Sequence, residues 1–435
     1  VHPNTVAEAH DLAERALHEA AFERALALYA TGLASEPDQL DLRLRLADAL
    51  LSLGRVQEAA VVYTTLAKHA ANLGYPLRAA VAIKVLCALD PALRPLMHAL
   101  AELYATQSAR LGLSVRPVPA SEEGALSAES LALLELRGDA LVQAALAIGK
   151  DLSKCSDRYP EVLPPIPLLS ELSVDDFVAV LDTVQLVRMK RGAAVLRQGD
   201  PGHSFFIAAR GALEVLREAE DGTRAQLATL HEGAVFGEMA LFSKSPRGAH
   251  VNTTTEADLL ELPVQALSQL AGGAATIARA LDRFTRERLV MNLIATAPLF
   301  RSLDRGQRID LVRRFVAHDV AAGTDLIREG ERVPGLYLVL SGSVDVWKRD
   351  GEQKVLLATL SSGEVFGEMS LLNAALASAS VTAAQRSSVL VLAREYVERL
   401  IESVPALRGY LEGLGDERAM DTRMWLDNAA IGDEL

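Results

Sequence analysis

Phe236–Val251 reads FGEMALFSKSPRGAHV, and these sixteen residues decide how the rest of the chain is read. Gly237 lets backbone approach a ligand with no side chain in the way. The run GEMALF has the character of a short helix, whose free N–H groups favour anions. Arg247 offers a forked, permanently charged donor suited to phosphate oxygens. Glu238, nine residues earlier, is placed to accept from a sugar hydroxyl and to orient the arginine. Buried together, the two charges need each other or a ligand. A surface turn with an ordinary Glu–Arg pair explains two of these residues but not the set.

The assembled pattern resembles the phosphate-binding cassette of cyclic-nucleotide-binding domains, as in kinase regulatory subunits and bacterial catabolite activators. That pattern is FGE, a small or apolar pair, a variable loop, then Arg followed by small residues. The resemblance places Phe236, Gly237, Glu238, Met239, Ala240, Arg247, Gly248 and Ala249 around a cyclic nucleotide. In relatives selective for guanine, a Thr often follows the cassette arginine and hydrogen-bonds to the base. Gly248 stands there instead, which tilts the expectation toward cAMP over cGMP. His250 lies near no residues at metal-ligand spacing and reads as a structural or surface histidine. No metal site is expected.

The chain of 435 residues implies about three domains. Half of it is apolar, so sizeable cores are available. A net charge of −13 without a long basic run argues against a non-specific nucleic-acid binder. Two distant cysteines, Cys87 and Cys155, make no disulfide framework and suit a reduced compartment. There is no run of 18 apolar residues, and VHPNTVAEAH does not read as a signal peptide. A cytoplasmic protein with no membrane insertion is expected; the sequence specifies no oligomeric state.

Residues 1–106 read as helical and repetitive. Leu12, Ala25, Tyr29 and Leu33 recur 34 residues later as Leu46, Ala59, Tyr63 and Ala67. A 34-residue period of helix pairs resembles tetratricopeptide repeats. Pro37 and Gly54 mark turns between helices, and Tyr75–Pro91 aligns with Ala21–Pro37 as a compressed further copy. Stacked repeats leave a concave face for a partner. The functional reading is docking of an unidentified protein; the plain one is a helical bundle that caps the next domain.

Residues 107–167 read as a linker with helical segments, opening on SVRPVPASEEG and closing on YPEVLPPIP. Kinase regulatory subunits carry a substrate-like basic segment in such a linker; no Arg-Arg-x-small segment lies here, and Arg313-Arg314 falls further on, on an expected helix. Residues 168–293 are expected to form the first nucleotide-binding domain. LSVDDFVAVLDTV leads in as a helix. Short strands follow at Val195-Leu196, Ser204–Ala208, Leu213–Leu216 and Gln226–Leu230, with turns at Gly192, Gly199, Gly211 and Gly233. HVNTTTEADLLEL adds a strand pair. The fold expected is a jelly-roll barrel. Residues 264–293 read as a long helix, in the family a lid, with Phe284 or Leu289 as candidate caps over the base.

Residues 294–402 repeat this design. Gly192, Gly199 and Gly211 recur at Gly323, Gly330 and Gly342, and Phe236-Gly237-Glu238 recurs at Phe366-Gly367-Glu368. Ala377 stands where the first copy has Arg247. Losing a charge-assisted pair of about 1.5–3 kcal/mol lowers affinity by roughly one to two decades. Glu368 is then expected to lack a partner and repel an anion, making the second copy a degenerate one used for packing or partner contacts; the alternative is that it binds something else, or binds weakly through backbone donors alone.

Residues 403–435 read as a short helical stretch and an acidic tail, too little for a helix-turn-helix. Direct nucleic-acid binding is not expected. No catalytic motif emerges, and Asp175-Asp176 after Ser173 fit a helix start. The architecture expected is multidomain α plus β, an α-helical tetratricopeptide-like solenoid followed by two β jelly rolls with flanking helices. The function expected is a non-enzymatic adaptor coupling a cyclic nucleotide to a protein partner. The alternatives are a ligand-independent scaffold and a transcription regulator, the latter lacking its DNA-binding domain.

Overall fold

Thr5 starts the first helix: its hydroxyl accepts from the Glu8 amide at 3.2 Å, and the Glu8 carboxylate takes the Asn4 amide at 2.7 Å. The computed structural model describes residues 3–112, 124–155, 159–218, 222–238, 246–263, 265, 303–312, 314–350, 353–361, 363–373 and 375–432. They fall into two compact units, Val1–Asp282 and Arg283–Leu435. The expected lid helix, with Phe284 and Leu289, lies outside the described residues.

The first unit opens with α1 (Val6–His18), α2 (Phe22–Ser35), α3 (Leu40–Ser52), α4 (Val56–Leu73), α5 (Pro76–Leu89) and α6 (Pro95–Tyr104). Each packs on the next. The repeating tyrosines are the reason the stack closes. Tyr29 and Tyr63 are fully buried, and each donates its hydroxyl to a carboxylate on the preceding helix: Tyr29 to Glu14 at 2.7 Å, Tyr63 to Asp48. Those acceptors are also 34 residues apart, so the period carries a buried polar pair as well as apolar contacts. Gly74 ends α4 in the left-handed conformation (φ +92°) that glycine adopts without strain.

The helical part of 107–167 folds back on this stack. α7 (Ala128–Leu131) packs on α2, and α8 (Gly138–Lys150) packs on α2 and α4. Gly149 permits that approach, since a Cβ there would lie 2.6 Å from Val62. Arg43, fully buried on α3, donates to the carbonyls of Gly149 and Pro37, the latter at 2.8 Å. Its two terminal nitrogens, shared among several carbonyl acceptors, tie one element to the next, while Nε is left without an acceptor among the described residues.

α9 (Val174–Thr183) leads into the barrel, capped by Ser173, whose hydroxyl accepts from the Asp176 amide at 3.2 Å. Two antiparallel four-stranded sheets follow. One has the order β1 (Gln185–Met189), β8 (Ala257–Pro263), β3 (Ser204–Arg210), β6 (Val235–Phe236). The other runs β2 (Ala194–Leu196), β7 (His250–Thr253), β4 (Leu213–Glu218), β5 (Arg224–Leu230). Phe206, Leu213, Phe236, Val251 and Leu259 fill the space between them. Every residue of β3 is buried, because α5 packs against it.

Charge joins the helices to this barrel. From α3, Arg45 pairs with Glu256, and Asp48 accepts from Arg188 of β1 at 2.7 Å. From α5, Arg78 pairs with Glu232 at 2.8 Å and with Asp41 at 3.0 Å. Asp258, fully buried on β8, accepts from Arg210 at 2.7 Å. Its carboxyl lies below the usual range: burial opposes the charge, and Arg210, Arg188 and Arg45 outweigh burial.

The second unit repeats the barrel after α10 (Arg305–Val312). One sheet is β14 (Val365–Phe366), β11 (Gly335–Ser341), β16 (Ser387–Ala393), β9 (Val316–Val320). The other is β10 (Asp325–Ile327), β15 (Ser380–Ala383), β12 (Ser343–Asp350), β13 (Gln353–Ser361). α11 (Glu368–Leu372), α12 (Arg394–Ser403) and α13 (Pro405–Gly432) complete it. α13 is 28 residues long, not the short stretch expected, because Leu407 and Leu411 bury one face against the barrel core. No helix among the described residues is long and apolar enough to cross a membrane.

Candidate functional site

The first cassette begins where β6 ends. Phe236 is buried and stacks on Phe206, ring centroids 5.4 Å apart. Gly237 then takes φ +84°, and a Cβ on it would stand 2.9 Å from Arg247 Nη1. The glycine therefore does two jobs, accepting the left-handed turn and leaving room for the arginine. Arg247 is pinned by its backbone: its amide donates to the Asp200 carbonyl and its carbonyl accepts from Gly199, both at 2.8 Å.

The guanidinium points inward. Arg247 is 6% exposed and donates to the Gly237 carbonyl and, at 2.7 Å, to the Ser204 carbonyl. Burial pulls its pKa down from the ordinary value, and the charges of Glu238, Glu261 and Asp200 work the other way. Glu238 is 3% exposed. A buried cation and a buried carboxylate thus belong to one cassette turn, the chemistry that holds an anion beside a hydroxyl. Gly248 is exposed and Ala249 half-buried beside them, while Met239 and Ala240 lie outside the described residues. His250 is engaged structurally: its Nδ1 accepts from the Gln198 amide at 3.3 Å, and Nε2 faces Glu218 at 3.6 Å.

The second cassette has the same frame. Phe366 stacks on Tyr337 at 4.8 Å, and Gly367 takes φ +87°. Ala377 donates its amide to the Glu331 carbonyl and accepts from Gly330, both at 2.9 Å. This matches the backbone of Arg247, so Ala377 stands at the arginine's position. One expectation is overturned here. Glu368, 2% exposed, has a partner: Arg418 of α13 donates from Nη1 to its carboxylate at 2.9 Å and to the Val365 carbonyl at 2.7 Å. The partner comes from 50 residues downstream, within the stretch expected to be a short helix and an acidic tail. A signal was present: Leu407, Leu411, Leu414 and Arg418 recur at helical spacing, which places Arg418 on the face that packs.

The structure also gathers Asp38, His69 and Cys155, whose donor atoms lie within 4.8 Å of one another. Burial, with the charge of Arg43, depresses the His69 pKa to about 4, so the ring is neutral at pH 7. The Arg43 guanidinium lies 3.6 Å from the Cys155 sulfur, and the thiol donates to the Pro37 carbonyl at 3.3 Å. A fixed cation there opposes a divalent ion, and the cluster reads as a packing device around Arg43.

The model of the cyclic nucleotide-binding domain matches residues 186–272 and 317–404, and that of the tetratricopeptide repeat matches 7–83. A cAMP-dependent protein kinase regulatory subunit of Yarrowia lipolytica is 32% identical over 238 residues, covering 54% of this chain and 59% of that protein. One of Hypocrea atroviridis is 30% identical over 226 residues, covering 50% and 46%. A cGMP-dependent protein kinase of Caenorhabditis briggsae is 27% identical over 261 residues, covering 58% and 32%. The chain spans about half the length of the first two, 59% and 46%. With two barrels of one design, each built around an FGE turn, this chain carries a tandem of cyclic nucleotide-binding domains behind tetratricopeptide repeats.

Proposed function

We propose that the chain is a non-enzymatic, cytoplasmic regulatory adaptor. It binds a cyclic nucleotide, cAMP ahead of cGMP, in its first barrel and passes that binding to a protein partner through the helical repeats. The observation that carries the reading is that two opposite charges, Arg247 and Glu238, are both buried at the Gly237 turn. A guanidinium taken out of water at a cassette turn is costly unless an anion or carboxylates compensate it. The relatives support a regulatory role, since those of Yarrowia lipolytica and Hypocrea atroviridis are regulatory subunits.

Coupling to the repeats has a physical route. Glu232, held by Arg78 of α5, lies four residues before Phe236. Ser204, which accepts from Arg247, opens the strand whose other end, Arg210, pairs with Asp258. A shift in the cassette is therefore felt at charges that α3 and α5 also hold. The test is hydrogen exchange across α3 and α5 with saturating cAMP. The expected result is altered protection in both helices, absent in Arg247→Ala. Protection unchanged by bound cAMP would contradict coupling and favour barrels that act apart from the repeats.

A further inference from the structure

The second barrel lacks the cassette arginine yet keeps a cavity of about 320 Å³ at its cassette. Val333, Val346, Leu360 and Val381 supply apolar wall, and Glu368, Lys348 and Arg418 supply charge. A volume in this range suits a ligand of nucleotide size. Position 377 brings no cation to this cavity: Ala377 lines it and is buried in an apolar cluster with Ile327, Phe366 and Val381. The cation arrives from another element. Arg418 reaches in from α13, neutralises Glu368, and forms part of the cavity wall. Leu407 and Leu411 fix the approach by burying the preceding two turns of the same helix face.

We propose that Arg418 replaces the missing cassette arginine, making the second barrel a further site for a cyclic nucleoside monophosphate, with α13 as part of that site. This inference rests on the reading of the first barrel as a cyclic-nucleotide site. With Glu368 paired, the carboxylate no longer repels a phosphate, and Lys348 adds a second cation at the wall, itself 3.8 Å from Glu329. The apolar wall accepts the base. Because the cation belongs to a helix packed by a few leucines, ligand binding and α13 docking stabilise one another by linkage. An arginine inside the cassette, as in the first barrel, gives no such dependence on the C-terminal helix.

The experiment is calorimetric titration of cAMP into the full chain carrying Arg247→Ala, alone and combined with Arg418→Ala, Arg418→Lys or Arg418→Gln. Thermal melts confirm folding, and Arg418→Gln keeps a neutral donor for Glu368 should Arg418→Ala fail to fold. Hydrogen exchange of α13 is followed in parallel. One saturable site is expected in Arg247→Ala, weakened tenfold or more by Arg418→Ala and Arg418→Gln and less by Arg418→Lys. Exchange within Pro405–Gly432 should slow when cAMP is added to Arg247→Ala. One site in the wild type that vanishes with Arg247→Ala overturns this inference alone and leaves Arg418 as a structural lock. A remaining site indifferent to all three Arg418 variants also overturns it. Wild-type binding untouched by Arg247→Ala but lost with Arg418→Gln overturns the first-barrel reading instead.

Discussion

Gly237 concentrates the chemistry of the first barrel in one backbone torsion. Its φ of +84° and the 2.9 Å approach of Arg247 are separate demands, and substitution separates them. Gly192, at φ +77°, has nothing within 4 Å of an added Cβ. Gly192→Ala should therefore cost only left-handed strain, about 1–3 kcal/mol. Gly237→Ala should cost that plus displacement of the guanidinium, and so lose cAMP affinity as well as stability. Denaturant midpoints of both variants, with cAMP titrations, check this; equal effects on affinity would contradict it. At Gly248 an added Cβ meets nothing within 4 Å. Gly248→Thr should therefore fold normally, and its hydroxyl should improve cGMP relative to cAMP by about three- to tenfold, a hydrogen bond of about 0.5–1.5 kcal/mol. Competition between the two nucleotides measures the ratio. Residue identities made the turn of the first cassette legible, because its two charges, Glu238 and Arg247, lie only nine residues apart. Glu368 was not legible in the same way: its partner is distant in the chain and is delivered by a helix whose extent depends on packing.

Elements were legible where their pattern is local. α9 announces itself through Ser173 and the acidic pair behind it, and the tyrosine period gives α2 and α4. β1 was missed. QLVRM offers no turn signal of its own, and its place as an edge partner of β8 is fixed only by pairing. β3 does not alternate because α5 covers it, a tertiary fact that no strand pattern encodes. The most exposed consequence is at the junction of helices and barrel. Asp258 is fully buried between Arg210 and Arg188. Asp258→Ala strands Arg210 without its carboxylate and should destabilise the first unit by about 3–5 kcal/mol. Urea unfolding should show it, and a loss under 1 kcal/mol would mean the network contributes little to holding β3 and β8.

Across the molecule, buried ionisable groups make stability depend on pH in a definite direction. Glu14 is held down to about 2: burial opposes its charge, while the His10 hydrogen bond, Arg45 and Tyr29 outweigh it. A depressed carboxyl contributes stability above its unfolded value of 4.5 that is lost as pH falls toward 2. His69, lowered to about 4 from 6.5, acts in the same sense: the unfolded chain takes up the proton first, so stability falls as pH drops from 6.5 to 4. Denaturant midpoints should accordingly decline below pH 6.5, and His69→Gln should remove one proton's worth of slope between 6.5 and 4. A profile flat from pH 7 to 4 would contradict this account of the helical core.

The proposed function requires the first cassette to bind a cyclic nucleotide with Arg247 as its cation. Calorimetric titration of cAMP into the purified chain, with Arg247→Ala and Arg247→Lys beside it, tests it most directly. The expected result is saturable binding by the wild type, the loss of one site in Arg247→Ala, and a weakened site in Arg247→Lys, all three melting as folded proteins. Binding with the same stoichiometry and affinity in Arg247→Ala, or none in the wild type, would contradict it.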